Sequence, residues 1–227
     1  MFQSLLNLFF PEVCLGCSRL LLSNEIVICT RCRHEIPQTL HYLNPNNEAF
    51  RKFYGKIAVE HVSAFAYFQK KGLLQPIIHA LKYQEMEVVG TLFGHWYAPD
   101  LKKLEVLKDL DLIVPVPLHP KKLRERGYNQ VSSFGRSLSE ELQIELNESL
   151  LIRTVYSKTQ TKKNLLSRTE VQNKNIFDVS ETNSYQGKHI LLIDDVLTTG
   201  STLEACCRAL LKIPGVKISI VCIAMTQ

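Results

Sequence analysis

No run of apolar residues approaches the ~18–20 that cross a bilayer, so neither a transmembrane helix nor membrane insertion is expected. The first ten residues, MFQSLLNLFF, are apolar but lack a basic start, and no small-residue cleavage site follows. They read as a packing segment rather than a signal peptide, which makes a cytoplasmic location the expectation. There is no internal repeat and no low-complexity tract. The composition, 45% hydrophobic and 22% charged, is close to the globular average and excludes a disordered chain, a collagen or a coiled coil. At 227 residues the chain can form one medium domain plus a small one, or a single large domain. A core of that size needs no disulfide scaffold.

What is present is unevenly distributed. The formal charge is +5, from 27 basic and 22 acidic residues. In residues 1–45, Arg19, Arg31 and Arg33 cancel Glu12, Glu25 and Glu35, so the surplus lies beyond them. Between Lys121 and Lys174 there are eleven Lys or Arg and six acids. A basic surface there would attract phosphate, in a small molecule or in a nucleic acid; an ordinary solvated face is the plainer alternative.

Four of the seven cysteines form Cys14-Leu-Gly-Cys17 and Cys29-Thr-Arg-Cys32. Paired C-x2-C turns across a short spacer are the spacing of a zinc ribbon, each turn aiming two soft thiolates at one tetrahedral centre. Two disulfides or buried free thiols compete with that reading, but a cytosolic setting disfavours disulfides. Four cysteines leave no open coordination position, so a structural Zn2+ is expected. The spacer, SRLLLSNEIVI, reads as a small hairpin. Cys206, Cys207 and Cys222 lie in apolar patterns and read as core.

The remainder alternates strands and helices. His41–Ala49 is rich in Asn and reads as a linker, dividing a zinc-ribbon domain at 1–45 from a main domain at 46–227. Ile57–Phe68 holds one or two strands, and Leu73–Tyr83 has helical spacing, as does part of Val88–Leu101. A strand is predicted at Leu112–Val116, a helix at Ser132–Leu146, a strand at Ile190–Ile193, a helix at Thr202–Leu211 and a strand at Lys217–Met225. Such alternation predicts an α/β domain with a largely parallel sheet flanked by helices. Lys82 reads as a cation at a helix C-terminus; His34, His41 and His61 have no evident partners.

The sharpest signal is His189-Ile-Leu-Leu-Ile-Asp-Asp-Val-Leu-Thr-Thr-Gly-Ser-Thr202. An apolar strand ends in Asp194 and Asp195, both expected to reach one crevice, and Thr198, Thr199, Gly200, Ser201 and Thr202 then open a helix. Outward amides at a helix start, hydroxyl donors and a glycine that admits close approach make a phosphate cradle. The two carboxylates can accept from a sugar diol. Ordinary N-caps explain one Thr and one Asp, but not two acids followed by four hydroxyls.

This segment resembles the 5-phosphoribosyl-1-pyrophosphate (PRPP) motif of type I phosphoribosyltransferases. Within that superfamily the chain is similar to the ComF family, named for a role in bacterial competence for DNA uptake. Leu8-Phe-Phe-Pro11 ahead of the first cysteine pair resembles the family's start. Pro115-Val-Pro-Leu-His-Pro-Lys-Lys-Leu-Arg-Glu-Arg-Gly-Tyr-Asn-Gln130 resembles its most distinctive block, and Gly72 through His79-Ala-Leu-Lys82-Tyr83 its helix ending in Lys and an aromatic. Glu85 stands where the family often has Gly, so a different turn is expected there. Gln160, Arg168, Asn173 and Phe177 fit a looser pattern.

The resemblance implies a phosphoribosyltransferase-like fold behind a zinc ribbon. It implies Mg2+ brought with PRPP, and a pyrophosphate-contacting loop around Pro117, His119 and Pro120. Lys121, Lys122, Arg124 and Arg126 would supply cations to that loop, with Gly127 as a hinge and Tyr128 as a stacking face. Two functions follow. One is an enzyme that transfers phosphoribosyl to a nitrogenous acceptor, with Asp194 and Asp195 at the ribose. The other is an accessory protein that binds single-stranded DNA, and competence-machinery proteins, through the same fold.

Overall fold

A computed structural model of the protein describes residues 11–154 and 176–227. The opening MFQSLLNLFF segment and Gln160, Arg168 and Asn173 lie outside the described residues.

Five parallel strands form the central sheet: β1 (His61–Phe68), β2 (Leu112–Pro115), β3 (Glu145–Leu146), β6 (His189–Leu197) and β7 (Lys217–Thr226). Their order is β1-β7-β6-β2-β3. A separate antiparallel pair joins β4 (Leu151–Arg153) to β5 (Phe177–Val179). The strands at the centre are near-continuous apolar runs because both faces are covered. Leu191, Ile193, Val221 and Ile223 point to one face, under α3 (Leu74–Tyr83), α4 (Val88–Leu101) and α6 (Ser132–Leu142). Ile190, Leu192, Ile218 and Ile220 point to the other, under α7 (Ser201–Leu210) and the β4–β5 pair.

Several sequence expectations shift. The helix predicted to reach Leu146 stops at Leu142, where Gln143 turns left-handed at φ 58° and β3 begins. The strand at Ile190–Ile193 continues to Leu197, because it keeps parallel partners in β7 as far as Met225. Ile57–Phe68 yields one strand, β1. The spacer between the cysteine pairs is not a regular hairpin, since only the bridges Val13–Leu20 and Ile26–Ile28 pair there.

The stretch read as a linker is packed. Asn47 is buried, caps the short helix α2 (Glu48–Arg51) by accepting from Phe50 N–H, and donates to the Val62 carbonyl of β1 at 3.0 Å. His41 Nδ1 accepts from Ala64 N–H at 3.2 Å. Just ahead of it, residues 37–39 run along the edge of β1: Thr39 N–H donates to the Phe65 carbonyl and Tyr67 N–H to the Pro37 carbonyl. That strip covers backbone groups that would otherwise form an open sheet edge. Among the described residues no helix is long and apolar enough to cross a membrane.

Candidate functional site

Within β6 successive side chains alternate between faces, and this decides the fate of the acid pair. Asp194 follows Ile190 and Leu192 toward α7; Asp195 follows Leu191 and Ile193 toward α3 and α6. The expectation that both carboxylates reach one crevice is therefore corrected: the strand extends past both residues, so they face opposite ways. Burial, reinforced by the charge of Asp195, pushes the Asp194 carboxyl up to about 8, although the Asp195 N–H donates to its Oδ1 at 2.8 Å. At neutral pH Asp194 is a largely protonated acid that can both donate and accept.

Asp195 is only 7% exposed in its side chain and is fully engaged. Lys82 Nζ lies 3.0 Å from its Oδ1, and Gln130 Nε2 donates to its Oδ2 at 2.6 Å. Arg126 in turn donates to Gln130 Oε1 at 2.6 Å. A chain of charge-assisted bonds thus runs from the basic segment through Gln130 to the acid motif and on to Lys82. Lys82 and Gln130 are the site residues that sequence reasoning undervalued. Lys82 was legible as a cation closing an apolar helical face, but its partner on β6 lies more than a hundred residues away in the chain.

The loop after β6 has the cradle geometry. Gly200 sits at φ 84° ahead of α7, a conformation that favours glycine, and a Cβ there would meet the Phe53 ring at 3.2 Å. Thr198, Thr199, Ser201 and Thr202 are exposed at the helix start. Thr199 and Ser201 hydroxyls lie 3.1 Å apart. A small cleft is lined by Asp194, Thr198, Gly200 and Thr202. Thr198, Thr202 and the α7 N-terminus therefore face a space that Asp194 also lines, whereas Thr199 and Ser201 are not among its lining residues.

The basic block departs from the loop expected. Pro120–Arg126 is a helix, α5, with Pro at its first position and the His119 side chain as its N-cap, Nδ1 accepting from Lys121 N–H at 3.1 Å. Gly127 is its left-handed C-cap at φ 78°, not a hinge. Lys121, Lys122 and Arg124 are exposed, and Arg126 turns inward to Gln130. Pro117 is half-buried just past β2. Tyr128, expected to offer a stacking face, is instead half-buried, its hydroxyl donating to the Leu81 carbonyl. The exposed aromatic is Tyr83, beneath the Arg126 guanidinium at 4.8 Å from the ring centre. Glu85 adopts φ 56°, so the turn keeps the left-handed backbone that glycine favours, and the expected difference is not found.

At the other end of the chain the four sulfurs of Cys14, Cys17, Cys29 and Cys32 all lie within 4.8 Å of one another. Cys17 and Cys29 are 3.7 Å apart, matching the roughly 3.8 Å edge of a thiolate tetrahedron about a metal. Gly16 and Cys29 N–H both donate to Cys14 Sγ, and Cys32 N–H donates to Cys29 Sγ, which starts α1 (Thr30–Glu35). Burial works against the Cys14 thiolate, but these amide donors outweigh it and lower the thiol to about 7. Burial and the neighbouring sulfurs hold Cys32 well above its usual range, the signature of thiols crowded together. No disulfide joins the described cysteines, and Cys206, Cys207 and Cys222 are buried core residues as expected. The cluster can hold a metal ion.

Comparison with known proteins agrees with this geometry. The family model of the phosphoribosyl transferase domain matches residues 132–226, the stretch from α6 through β7 that carries the acid pair and the cradle. The chain is thus a protein built on a phosphoribosyltransferase domain. Competence protein F of Haemophilus influenzae is 34% identical over 116 residues, half of each chain. Competence protein ComFC of Bacillus subtilis is 27% identical over 203 residues, covering 88% of this chain and 78% of that one. The DNA utilization protein YhgH of Escherichia coli is 29% identical over 157 residues, 67% of each. Through these relatives the chain is similar to the ComF family. Among solved structures, a purine phosphoribosyltransferase from Pyrococcus horikoshii aligns over 59% of this chain and 71% of its own at 21% identity, with a TM-score of 0.37.

Proposed function

We propose that this protein binds PRPP and transfers its phosphoribosyl group to a nitrogenous acceptor. The observation that carries the reading is the continuity of β6, its acid pair and the hydroxyl-lined start of α7. The 5-phosphate would lie on the amides and hydroxyls of Thr198–Thr202, where the helix dipole favours an anion. Asp194, protonated and half-buried beside that loop, would hold a ribose hydroxyl. Lys82, already paired with Asp195, would turn its charge to the leaving pyrophosphate, assisted by the cations of α5. In the transfer a lone pair on the acceptor nitrogen forms the bond to ribose C1. The C1–oxygen bond breaks, its electrons leave with pyrophosphate, and the acceptor's proton passes to solvent.

Mg2+ would arrive on the phosphates of the ligand. Among the described residues the cysteines form the only cluster of three or more metal-ligating side chains, and Asp195 is committed to Lys82 and Gln130. The described side chains therefore do not fit a resident Mg2+, and no step is assigned to one. The metal of the cysteine cluster is proposed to be Zn2+, held structurally with no open position.

Titration calorimetry with Mg-PRPP tests the binding. The wild type should bind, and the double substitution Asp194→Asn with Asp195→Asn should weaken binding at least tenfold. Unchanged affinity would place the ribose elsewhere. Pyrophosphate release with candidate acceptors tests the transfer.

A second reading is favoured by one observation, the exposed cations Lys121, Lys122 and Arg124 along α5, in a chain whose relatives are named for competence and DNA utilization. Single-stranded DNA would be tracked by that face, with affinity falling about 0.7 log units per log unit of salt for each phosphate neutralised. Filter binding at two salt concentrations checks it; no retention at low salt leaves the transferase reading alone.

A further inference from the structure

We infer that Cys17 is an oxidation site: a hydroperoxide converts it, with Cys29, to a disulfide that opens the metal cluster and loosens the ribbon from α4. The inference rests on the zinc reading of the cluster and on nothing in the PRPP site.

The four sulfurs are not equivalent. Cys14, Cys29 and Cys32 are buried, whereas Cys17 is exposed. Cys14 Sγ accepts from two amides, Gly16 N–H at 3.4 Å and Cys29 N–H at 3.2 Å, and Cys29 Sγ accepts from Cys32 N–H at 3.4 Å. Cys32 lies beneath the first cysteine turn, where a Cβ on Gly16 would stand 3.0 Å from its sulfur. Among the described residues no backbone N–H donates to Cys17 Sγ, whose recorded contact is the Cys29 sulfur. Hydrogen bonds to a thiolate draw off charge and lower its nucleophilicity. Burial keeps an oxidant away. Of the four, Cys17 is the one that lacks both protections.

Reversible oxidation also needs a second sulfur in reach, because a sulfenic acid left alone goes on to irreversible acids. Cys29 Sγ stands 3.7 Å from Cys17 Sγ and belongs to the other C-x2-C turn. The Cys17 sulfur attacks one peroxide oxygen with an electron pair; the S–O bond forms, the O–O bond breaks and hydroxide leaves. The Cys29 thiolate then attacks the Cys17 sulfur, the S–O bond breaks and a second hydroxide leaves. Two thiolates have lost two electrons to one peroxide, and both hydroxides take protons from solvent. Only Cys14 and Cys32 then remain as thiolates, too few for a closed tetrahedral set.

The change is carried to the body through α1. Cys29 is the N-cap of that helix, its sulfur accepting from Cys32 N–H. Arg33, in the last turn of α1, lies over the Trp96 ring of α4 at 4.8 Å. Drawing the Cys29 sulfur to Cys17 and losing the metal therefore shifts the residue that covers Trp96. The remaining cysteines are an internal control, since Cys206, Cys207 and Cys222 are fully buried.

The zinc-loaded full chain would be treated with hydrogen peroxide while a chelating dye reads free metal, peptide mass mapping reads disulfides and fluorescence reads Trp96. Metal release, a Cys17–Cys29 disulfide and a red shift of Trp96 should rise together. A dithiol reductant with added zinc should reverse all three, and Cys206, Cys207 and Cys222 should stay reduced throughout. Cys17→His keeps a set of three cysteines and one histidine that still holds zinc, and it should release metal about tenfold more slowly, the exposed sulfur being gone. Release as fast as in the wild type overturns the inference. If that variant does not load, the wild-type map decides. A disulfide between other cysteines, or thiols and metal retained at a dose that fully oxidises glutathione, overturns it as well. Metal absent from the untreated protein would sink the zinc reading instead. The oxidation site would then stand on a Cys17–Cys29 disulfide with the Trp96 shift, and fall without them.

Discussion

Asp194 and Asp195 are chemically identical, adjacent in the chain, and opposite in surroundings. Asp195 has Lys82 and Gln130 as donors, whereas Asp194 is half-buried beside a like charge, and its carboxyl is held up to about 8. A carboxyl whose folded pKa lies above the ordinary 3.8 binds more protons in the native state than in the unfolded state. Stability from this group is therefore full below about pH 4 and is lost as pH rises toward 8. Asp194→Asn should flatten the decline between pH 5 and 8, as read from urea midpoints at the two values; an unchanged slope would show that Asp194 does not hold its proton. His61 works in the other direction. It is buried against Ser63 at 2.8 Å, and burial depresses it to about 4. The unfolded chain takes up a proton near pH 6.5 that the fold refuses, so stability falls from there down to about 4, by roughly 3 kcal/mol in all. His61→Gln should remove most of that acid sensitivity in a pH titration of the melting temperature. The Lys82–Asp195 pair makes a further prediction. Removing Lys82 alone strands a nearly buried carboxylate, so Lys82→Ala and Lys82→Ala with Asp195→Ala should differ by much less than the separate effects imply. A double-mutant cycle should show a coupling of about 1–3 kcal/mol.

At the scale of elements, the packing of α4 on α6 depends on two glycines, Gly90 and Gly94, facing Ser133 and Ser137. A Cβ on Gly94 would stand 2.5 Å from both Cβ and Oγ of Ser137, whose hydroxyl donates to the Thr91 carbonyl at 3.0 Å. Alanine in a helix interior gains up to about 1 kcal/mol over glycine in propensity. Overpacking a tight contact costs about 1–3 kcal/mol, so the contact wins. Gly94→Ala should destabilise modestly and Gly94→Val by about 2–3 kcal/mol, checked by urea denaturation. A stabilised Gly94→Ala would mean the helices separate freely. Nothing in the sequence pattern announced this contact, because two glycines four apart read only as weak helix formers. The elements themselves were far more legible. β6, α7 and β7 follow directly from an apolar run, a hydroxyl-rich cap and a second apolar run. Their boundaries were less so, since whether β6 ends at Ile193 or Leu197 depends on how far β7 runs beside it. The helical form of α5 was hidden for a different reason: of the six residues between Pro120 and Gly127 only Leu123 is apolar, so no apolar face shows, and only the capping by His119 and Gly127 reveals the roughly two turns.

At the scale of the whole molecule, the cysteine-bearing ribbon and the α/β body share a core. Cys14, Ile28, Cys29, Cys32 and Ile36 are buried in the same cluster as Ile77, Phe93 and Tyr97 of the helical layer. A Cβ on Gly16 would strike Leu73 at 2.6 Å, which shows how closely the first cysteine turn lies on the body. The spacing of the cysteines predicted that the four would gather, as they do, but not this apposition, since the contacts join residues far apart in sequence. The single tryptophan makes the junction measurable. Trp96 on α4 lies under the Arg33 guanidinium at 4.8 Å and packs on Phe93, with Ile26, Ile28 and Arg33 of the ribbon lining the adjoining cleft. Metal loss from the ribbon should therefore be read by a residue outside it. Cys29→Ser removes a sulfur ligand while leaving a hydroxyl that can still cap α1, so it should abolish bound zinc by elemental analysis. It should also shift Trp96 emission to the red as Arg33 and Ile28 withdraw. Because Ile28 and Cys32 leave the shared cluster, the body should lose several degrees of melting temperature, while the far side of the sheet, with α7 and the hydroxyl-lined loop before it, keeps its packing. Calorimetric binding of Mg-PRPP should accordingly survive within about threefold, a difference under 1 kcal/mol. Unchanged Trp96 emission in a zinc-free protein would show that the ribbon holds its place on α4 without the metal.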